Sequence, residues 1–161
     1  IQRYKNGFKA ILSPDTRSAL AQFKTTQLSL NTTALIKAQR YGYDEAIFHK
    51  NQHITEAASS NFFAVINGIL RTPPLGNIVP GITRQVILSL ANKEGLKVST
   101  SPIMTSELAC ASEVFLTSSI KLLKPIIEIK DLFTQPKTGP IWENLYQLYN
   151  NEIQAHEEYS H

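Results

Sequence analysis

Short apolar runs alternate with segments of helical period along the whole chain. The first run, GFKAIL at residues 7–12, predicts a strand that Ser13-Pro14-Asp15 stops. Across residues 28–40 the apolar positions Leu28, Leu30, Ala34, Leu35 and Ala38 recur at helical spacing, and Gly42 supplies a C-terminal stop. Residues 45–49, 53–55 and 62–66 predict strands. Asn67-Gly68 then joins residues 62–66 to 69–72 as a hairpin, because both residues tolerate the positive φ of a type I′ turn. After the rigid loop TPPLGNIVPG a helix begins near Ile82, with Val86, Ile87, Leu90 and Ala91 on one face and Gly95 at its end. Residues 96–100 read as a strand. Thr105 or Ser106 caps a short helix reaching Ala111, and residues 113–117 and 122–129 are strands. A last helix over residues 141–154 carries a core stripe of Trp142, Leu145, Tyr146, Tyr149 and Ile153. Strands and helices intermingle throughout, so the class is mixed α/β.

Composition narrows the functions open to such a fold. A chain of 161 residues, 42% hydrophobic and 18% charged, has the profile of one globular domain; at this size about 70% of the unfolded surface is buried. The sixteen basic residues are scattered and nearly matched by thirteen acidic ones, for a net charge of +3. The clustered basic stripe of a nucleic-acid binder is absent, and no apolar run has the length of a membrane span. The single cysteine, Cys110, has no internal disulfide partner and reads as a small buried hydrophobe in a reducing compartment. His49, His53, His156 and His161 lack ligand spacing, so no metal is expected. The sequence starts at Ile1 without methionine or signal peptide, which reads as a piece of a longer protein.

Four segments carry residues suited to chemistry, and each alone has an ordinary structural explanation. Lys24, in FKTTQ, has apolar neighbours that could lower its pKa and free the amine for Schiff-base chemistry; a solvated surface charge is the commoner fate. Glu56 interrupts a pair of strands, in ITEAASSNFFAV, and a carboxylate in a partly dry site demands a cation or an N–H partner. Gly81-Ile82-Thr83 opens a helix, where free N–H groups and about half a positive charge suit a phosphate as well as an ordinary cap. Thr117-Ser118-Ser119 ends a strand with hydroxyls and N–H groups that could serve a second anion.

Taken in order, FKTTQLSLNTTALIKAQRYGYDEAIF, ITEAASSNFFAVINGILRTPP, VPGITRQVILSLANKEGLKV, SEVFLTSSIKLLKPI and GPIWENLYQLY resemble the class IV, or fold-type IV, pyridoxal-phosphate enzymes from Lys24 onward. That family includes D-amino acid aminotransferases, branched-chain aminotransferases and aminodeoxychorismate lyases. The resemblance implies a mixed-sheet pseudo-barrel with surrounding helices, residues 1–161 forming the larger, cofactor-binding domain and the smaller N-terminal domain lying outside this chain. It implies pyridoxal 5′-phosphate (PLP) as cofactor and Lys24 as the catalytic lysine, which forms the Schiff base and shuttles the substrate proton. Glu56 would face the pyridine nitrogen and stabilise the quinonoid; Ile82, Thr83 and Ser119 would hold the phosphate. Ser119, Ile120 and Lys121 would meet the substrate, and Ser59 and Asn61 would support the site from behind.

The family's range sets the functional expectation. The leading reading is a D-amino-acid-type aminotransferase, with an aminodeoxychorismate lyase, releasing pyruvate and 4-aminobenzoate, nearly level. Branched-chain aminotransferases carry a tyrosine five residues after the lysine, where this chain has Ser29; that subgroup and a non-catalytic domain retaining the fold stand lower. Lys121 could favour a substrate with a second carboxylate. The expected setting is a cytoplasmic homodimer acting on a small amino substrate, without nucleic acid or membrane.

Overall fold

The computed structural model describes residues 6–17, 22–23, 28–120, 122–135 and 137–158. Lys24 and Lys121 lie outside the described residues. The elements in order are β1 (Phe8–Pro14), α1 (Ser29–Arg40), β2 (Glu45–Lys50), β3 (His53–Ala57), β4 (Asn61–Ile66), β5 (Ile69–Arg71), α2 (Ile82–Lys93), β6 (Val98–Ser99), a 3-10 helix (Thr105–Cys110), β7 (Ala111–Ser118), β8 (Leu122–Ile129), β9 (Phe133–Thr134) and α3 (Pro140–Glu158). Among the described residues the strands form one mixed sheet in the order β3-β2-β1-β8-β7-β4-β5-β6, with β9 on the side of β8. β1 runs parallel to both neighbours, whereas β4, β7 and β8 pair antiparallel. The β3 edge is closed in part, since the Ile54 amide donates to the Ile103 carbonyl at 2.8 Å. The result is a half-barrel flanked by helices.

All six residues of β4 are buried, which requires cover on both faces of the sheet. The period of two divides them. Phe62, Ala64 and Ile66 point into the half-barrel with Phe8, Ile47, Ile54, Ile103, Leu108, Leu116 and Ile126. Phe63 and Val65 point outward under α2 and α3, where they meet Phe115, Ile87, Leu90, Trp142 and Leu145. Phe63 and Phe115 stack at 5.1 Å between ring centres. Each such buried aromatic contributes about 2–3 kcal/mol of hydrophobic stabilisation before packing gains. A smaller cluster of Ala34, Ala38, Ala46 and Phe48 seats α1 on the same outer face.

Most expected elements are present, and the departures have local causes. Asn67 and Gly68 adopt φ 52° and 73°, as the hairpin requires. The strand expected over residues 96–100 shrinks to two residues, because β6 pairs only with the short β5. β9, whose Phe133 is buried against β8, was not foreseen in so brief a run. α3 extends beyond the expected end, and Pro140 stands at its first position, where a missing N–H costs nothing. Cys110 is exposed, contrary to the sequence reading: the short helix turns Thr105 and Leu108 inward and leaves its last residue outside.

Candidate functional site

The ends of β1, β3, β4 and β7 and the starts of α1 and α2 surround a cavity of about 700 Å³. Glu56, Ile82, Thr83, Ser119 and Ile120 all line it, so five residues singled out in three segments share one space. Ile82 and Ile120 stand exposed at the rim, whereas Glu56 and Thr83 are buried. Ser59, Ser29 and Asn61 also line the wall. Lys24 and Lys121, given roles above, lie outside the described residues.

The EAASSN stretch explains the position of Glu56. Small residues allow a tight loop in which the Ala57 amide donates to the Ser60 carbonyl at 2.8 Å, so Glu56 and Asn61, on its two flanks, come side by side. The Asn61 side-chain amide donates to Glu56 Oε2 at 3.4 Å and to the Val79 carbonyl at 2.8 Å, and the Val79 amide reaches the same Oε2 at 3.1 Å. Gly81 closes this corner because it has no side chain: a Cβ there would strike Asn61.

Two residues missed by the sequence reading complete the carboxylate's surroundings. Arg17 Nη1 donates to Glu56 Oε1 at 2.6 Å, while its Nε and Nη2 grip the two Asp15 oxygens at 2.9 and 2.8 Å. The Thr55 hydroxyl donates to Asp15 Oδ2, and the Arg17 guanidinium lies over the Phe48 ring. Burial pushes the Glu56 carboxyl above its ordinary pKa, more than the Arg17 partnership pulls it down. Burial also pushes the Asp15 carboxyl upward, but hydrogen bonds from Arg17 and Thr55 outweigh it and hold Asp15 low. In the sequence Asp15 read only as part of the stop after the first strand and Arg17 had no reading; the parallel pairing of β1 with β2 and the antiparallel pairing of β2 with β3 carry them to Glu56.

Another part of the lining has positive character. Gly81, in extended conformation, precedes α2, and no side chain caps the first turn, which leaves N–H groups and the positive end of the helix dipole available to an anion. Arg84, on that turn but behind the cavity lining, is buried and donates to the Thr72 hydroxyl and the Pro73 carbonyl, with no carboxylate partner among the described residues. Burial lowers its pKa. Thr117, opposite Asn61 in the β4–β7 register, is buried on the cavity wall, and its hydroxyl has no partner among the described residues. The cavity lining therefore includes both an acidic acceptor, Glu56, and anion-holding donors at the start of α2.

Comparison with known proteins assigns the family. The chain is 33% identical over 154 residues to a D-alanine aminotransferase of Listeria monocytogenes, covering 94% of this chain and 53% of that protein. It superposes on a branched-chain aminotransferase of Thermoproteus uzoniensis with TM-score 0.87 and 30% identity, covering 96% of this chain and 55% of the other. A Legionella pneumophila protein assigned as a 4-amino-4-deoxychorismate lyase gives TM-score 0.85 and 27% identity over 91% of this chain and 56% of its own. The chain thus spans about half the length of the relatives it matches. The amino-transferase class IV family model matches residues 3–129, and with that match and these likenesses the chain belongs to the class IV aminotransferases.

Proposed function

We propose that this chain supplies the larger, cofactor-carrying domain of a PLP-dependent homodimer that transfers the amino group of a D-amino acid. One observation carries the reading: a single cavity sets the buried Glu56 carboxylate against the uncapped start of α2. A ligand that satisfies both groups must be dipolar, with a cationic or N–H group for the carboxylate and an anion for the helix start. A phosphorylated pyridine has that character.

The residues present fit the cofactor. Thr117 offers a buried hydroxyl that lacks a partner among the described residues, and Gly81 provides a corner that any side chain would fill. Ile82 and Thr83 would hold the phosphate through backbone N–H groups and the threonine hydroxyl, with Ser119 beside them. Glu56 would hold the ring nitrogen, and Ser119 and Ile120 would orient the substrate carboxylate. When bound, the cofactor supplies an electron sink for the pair left as the substrate Cα loses its proton. Lys24 Nζ would attach the cofactor and carry that proton, and Lys121 would bias the site toward a second substrate carboxylate. Exposed Ile82 and Ile120 at the rim suit cover by a further part of the protein.

The identity to a D-alanine aminotransferase favours D-alanine as amino donor. The likeness to the Legionella protein supports a second reading, elimination from aminodeoxychorismate, since the same residues would serve it. The deciding experiment follows the visible absorbance of the full-length protein with PLP before and after D-alanine. A band that requires Lys24, tested with Lys24→Ala, and that D-alanine bleaches is the expected result. A Lys24-dependent band untouched by D-alanine, in a protein that releases pyruvate from aminodeoxychorismate and retains the band afterwards, transfers the case to the lyase. No band in the wild type overturns both.

A further inference from the structure

We propose that Arg17, clamped by Asp15, is a positioning residue that turns the Glu56 carboxylate toward the cavity and makes the site selective for a protonated ring nitrogen. This inference rests on the cofactor reading above and deepens it.

The clamp is built from both ends. Arg17 binds Asp15 through Nε, Nη2 and its own backbone amide, at 2.9, 2.8 and 3.1 Å. Its side chain is 8% exposed and that of Asp15 is 5% exposed, so solvent competes little for these bonds. The Phe48 ring, 4.5 Å from the guanidinium carbon, fixes the guanidinium plane. With two of its edges held, Arg17 presents Nη1 to Glu56 in one direction. A guanidinium fork provides that geometry, and a lysine ammonium would keep the charge without the plane.

The remaining acceptor capacity of Glu56 follows from its contacts. A carboxylate has about four acceptor positions. Oε2 receives the Val79 amide and the Asn61 side chain, whereas Oε1 receives Arg17 alone among the described residues. Among the described residues a position on Oε1 therefore stays open, on a residue that lines the cavity. Without Arg17, two neutral donors would face a buried carboxylate, and burial would favour the neutral acid. A neutral acid gives a ring N–H⁺ no charge to meet.

Asp15 then has a second consequence. Arg17 with Glu56 alone would be a neutral pair, leaving no electrostatic demand for a cation. With Asp15 ionised the three side chains carry a net charge of −1, and a protonated ring nitrogen balances it. The charged side chains facing Glu56 among those described are Arg17 and Asp15, and both act through this one cluster.

The test compares dissociation constants of the full-length protein for PLP and for an analogue with CH in place of the ring nitrogen. Wild type is expected to prefer PLP. In Arg17→Met that preference falls about tenfold, while affinity for the analogue stays within about twofold because the phosphate contacts are intact. Arg17→Lys restores part of the preference, and Asp15→Asn reduces it with Arg17 in place. A preference unchanged in Arg17→Met, or equal loss of both ligands, overturns the proposal. Should Arg17→Met fail to fold by circular dichroism, unchanged preference in both Arg17→Lys and Asp15→Asn overturns it as well. A wild-type protein that binds neither ligand defeats the cofactor reading itself, a result distinct from binding without discrimination.

Discussion

Glu56 and Glu113 are two buried glutamates whose ordinary descriptors agree and whose surroundings do not. Each is 3–4% exposed, each accepts backbone N–H bonds, and burial raises the pKa of both. Glu113, on β7, spends its oxygens on the start of α3: Oε1 takes the Ile141 amide at 3.0 Å and Oε2 the Trp142 amide at 2.7 Å. Gly139 is needed there because a Cβ would run into the Glu113 carboxylate. Glu113 is thus a helix cap supplied from a strand, and it serves packing. Glu56 has a cation on Oε1 and an open cavity in front of it. Burial and a raised pKa therefore do not set the two glutamates apart; acceptor capacity left beside a cavity does.

Exchange of charge for amide should break the resemblance between the two most sharply. In the full-length protein Glu56→Gln is expected to lower turnover about a hundredfold, and also to lower stability, because its amide N–H₂ is set against the Arg17 guanidinium or the Val79 and Asn61 N–H groups. Glu113→Gln should leave turnover within about twofold and lower stability by about 1–2 kcal/mol, because an amide N–H₂ is set against a helix N–H. Parallel kinetics and thermal melts check both. Turnover lost equally in the two variants would end the distinction.

The pH dependence of stability gives an intermediate effect, with opposite signs in the two regions. Because the folded-state pKa of Glu113 is raised, its contribution is full below the ordinary value of 4.5 and is lost as pH rises through the folded value. Asp15, held below its ordinary 3.8, contributes above that value and loses the contribution as pH falls through the folded one. The stability gap between wild type and Asp15→Asn should close on acidification, and the gap between wild type and Glu113→Gln should close as pH rises. Urea titrations across the acid-to-neutral range measure both, and gaps that move together would contradict the assignment.

Thr117 refines the comparison at the smallest scale. Its buried hydroxyl gains no partner from the protein among the described residues, so Thr117→Val should leave the melting temperature without cofactor unchanged or slightly higher. PLP affinity should fall about threefold to tenfold if the bound cofactor supplies the partner. Equilibrium titration gives the answer, and an affinity equal to wild type removes Thr117 from the site.

Much of this was legible in local sequence. Apolar period placed β1, α1, β4, α2 and β8 within a residue or two, since a face that must be buried leaves its spacing in the chain. Asn67-Gly68 and Gly95 were legible because positive φ restricts the residue type. Glu56, Ile82, Thr83, Ser119 and Ile120, which share the cavity lining, were singled out through motif order rather than through any physical property of each residue.

Tertiary structure decided the rest. That Glu56 is buried, and that it meets Arg17 across 39 positions of sequence, follows from β1 pairing parallel with β2 and β2 antiparallel with β3. That Glu113 caps α3, 28 and 29 residues away, depends on how the helix packs over β7. Cys110 lies outside because a 3-10 turn, and not its own hydrophobicity, set its direction. Periodicity records which face of an element is covered, whereas partners between elements are fixed by register and packing, which no single stretch of sequence contains.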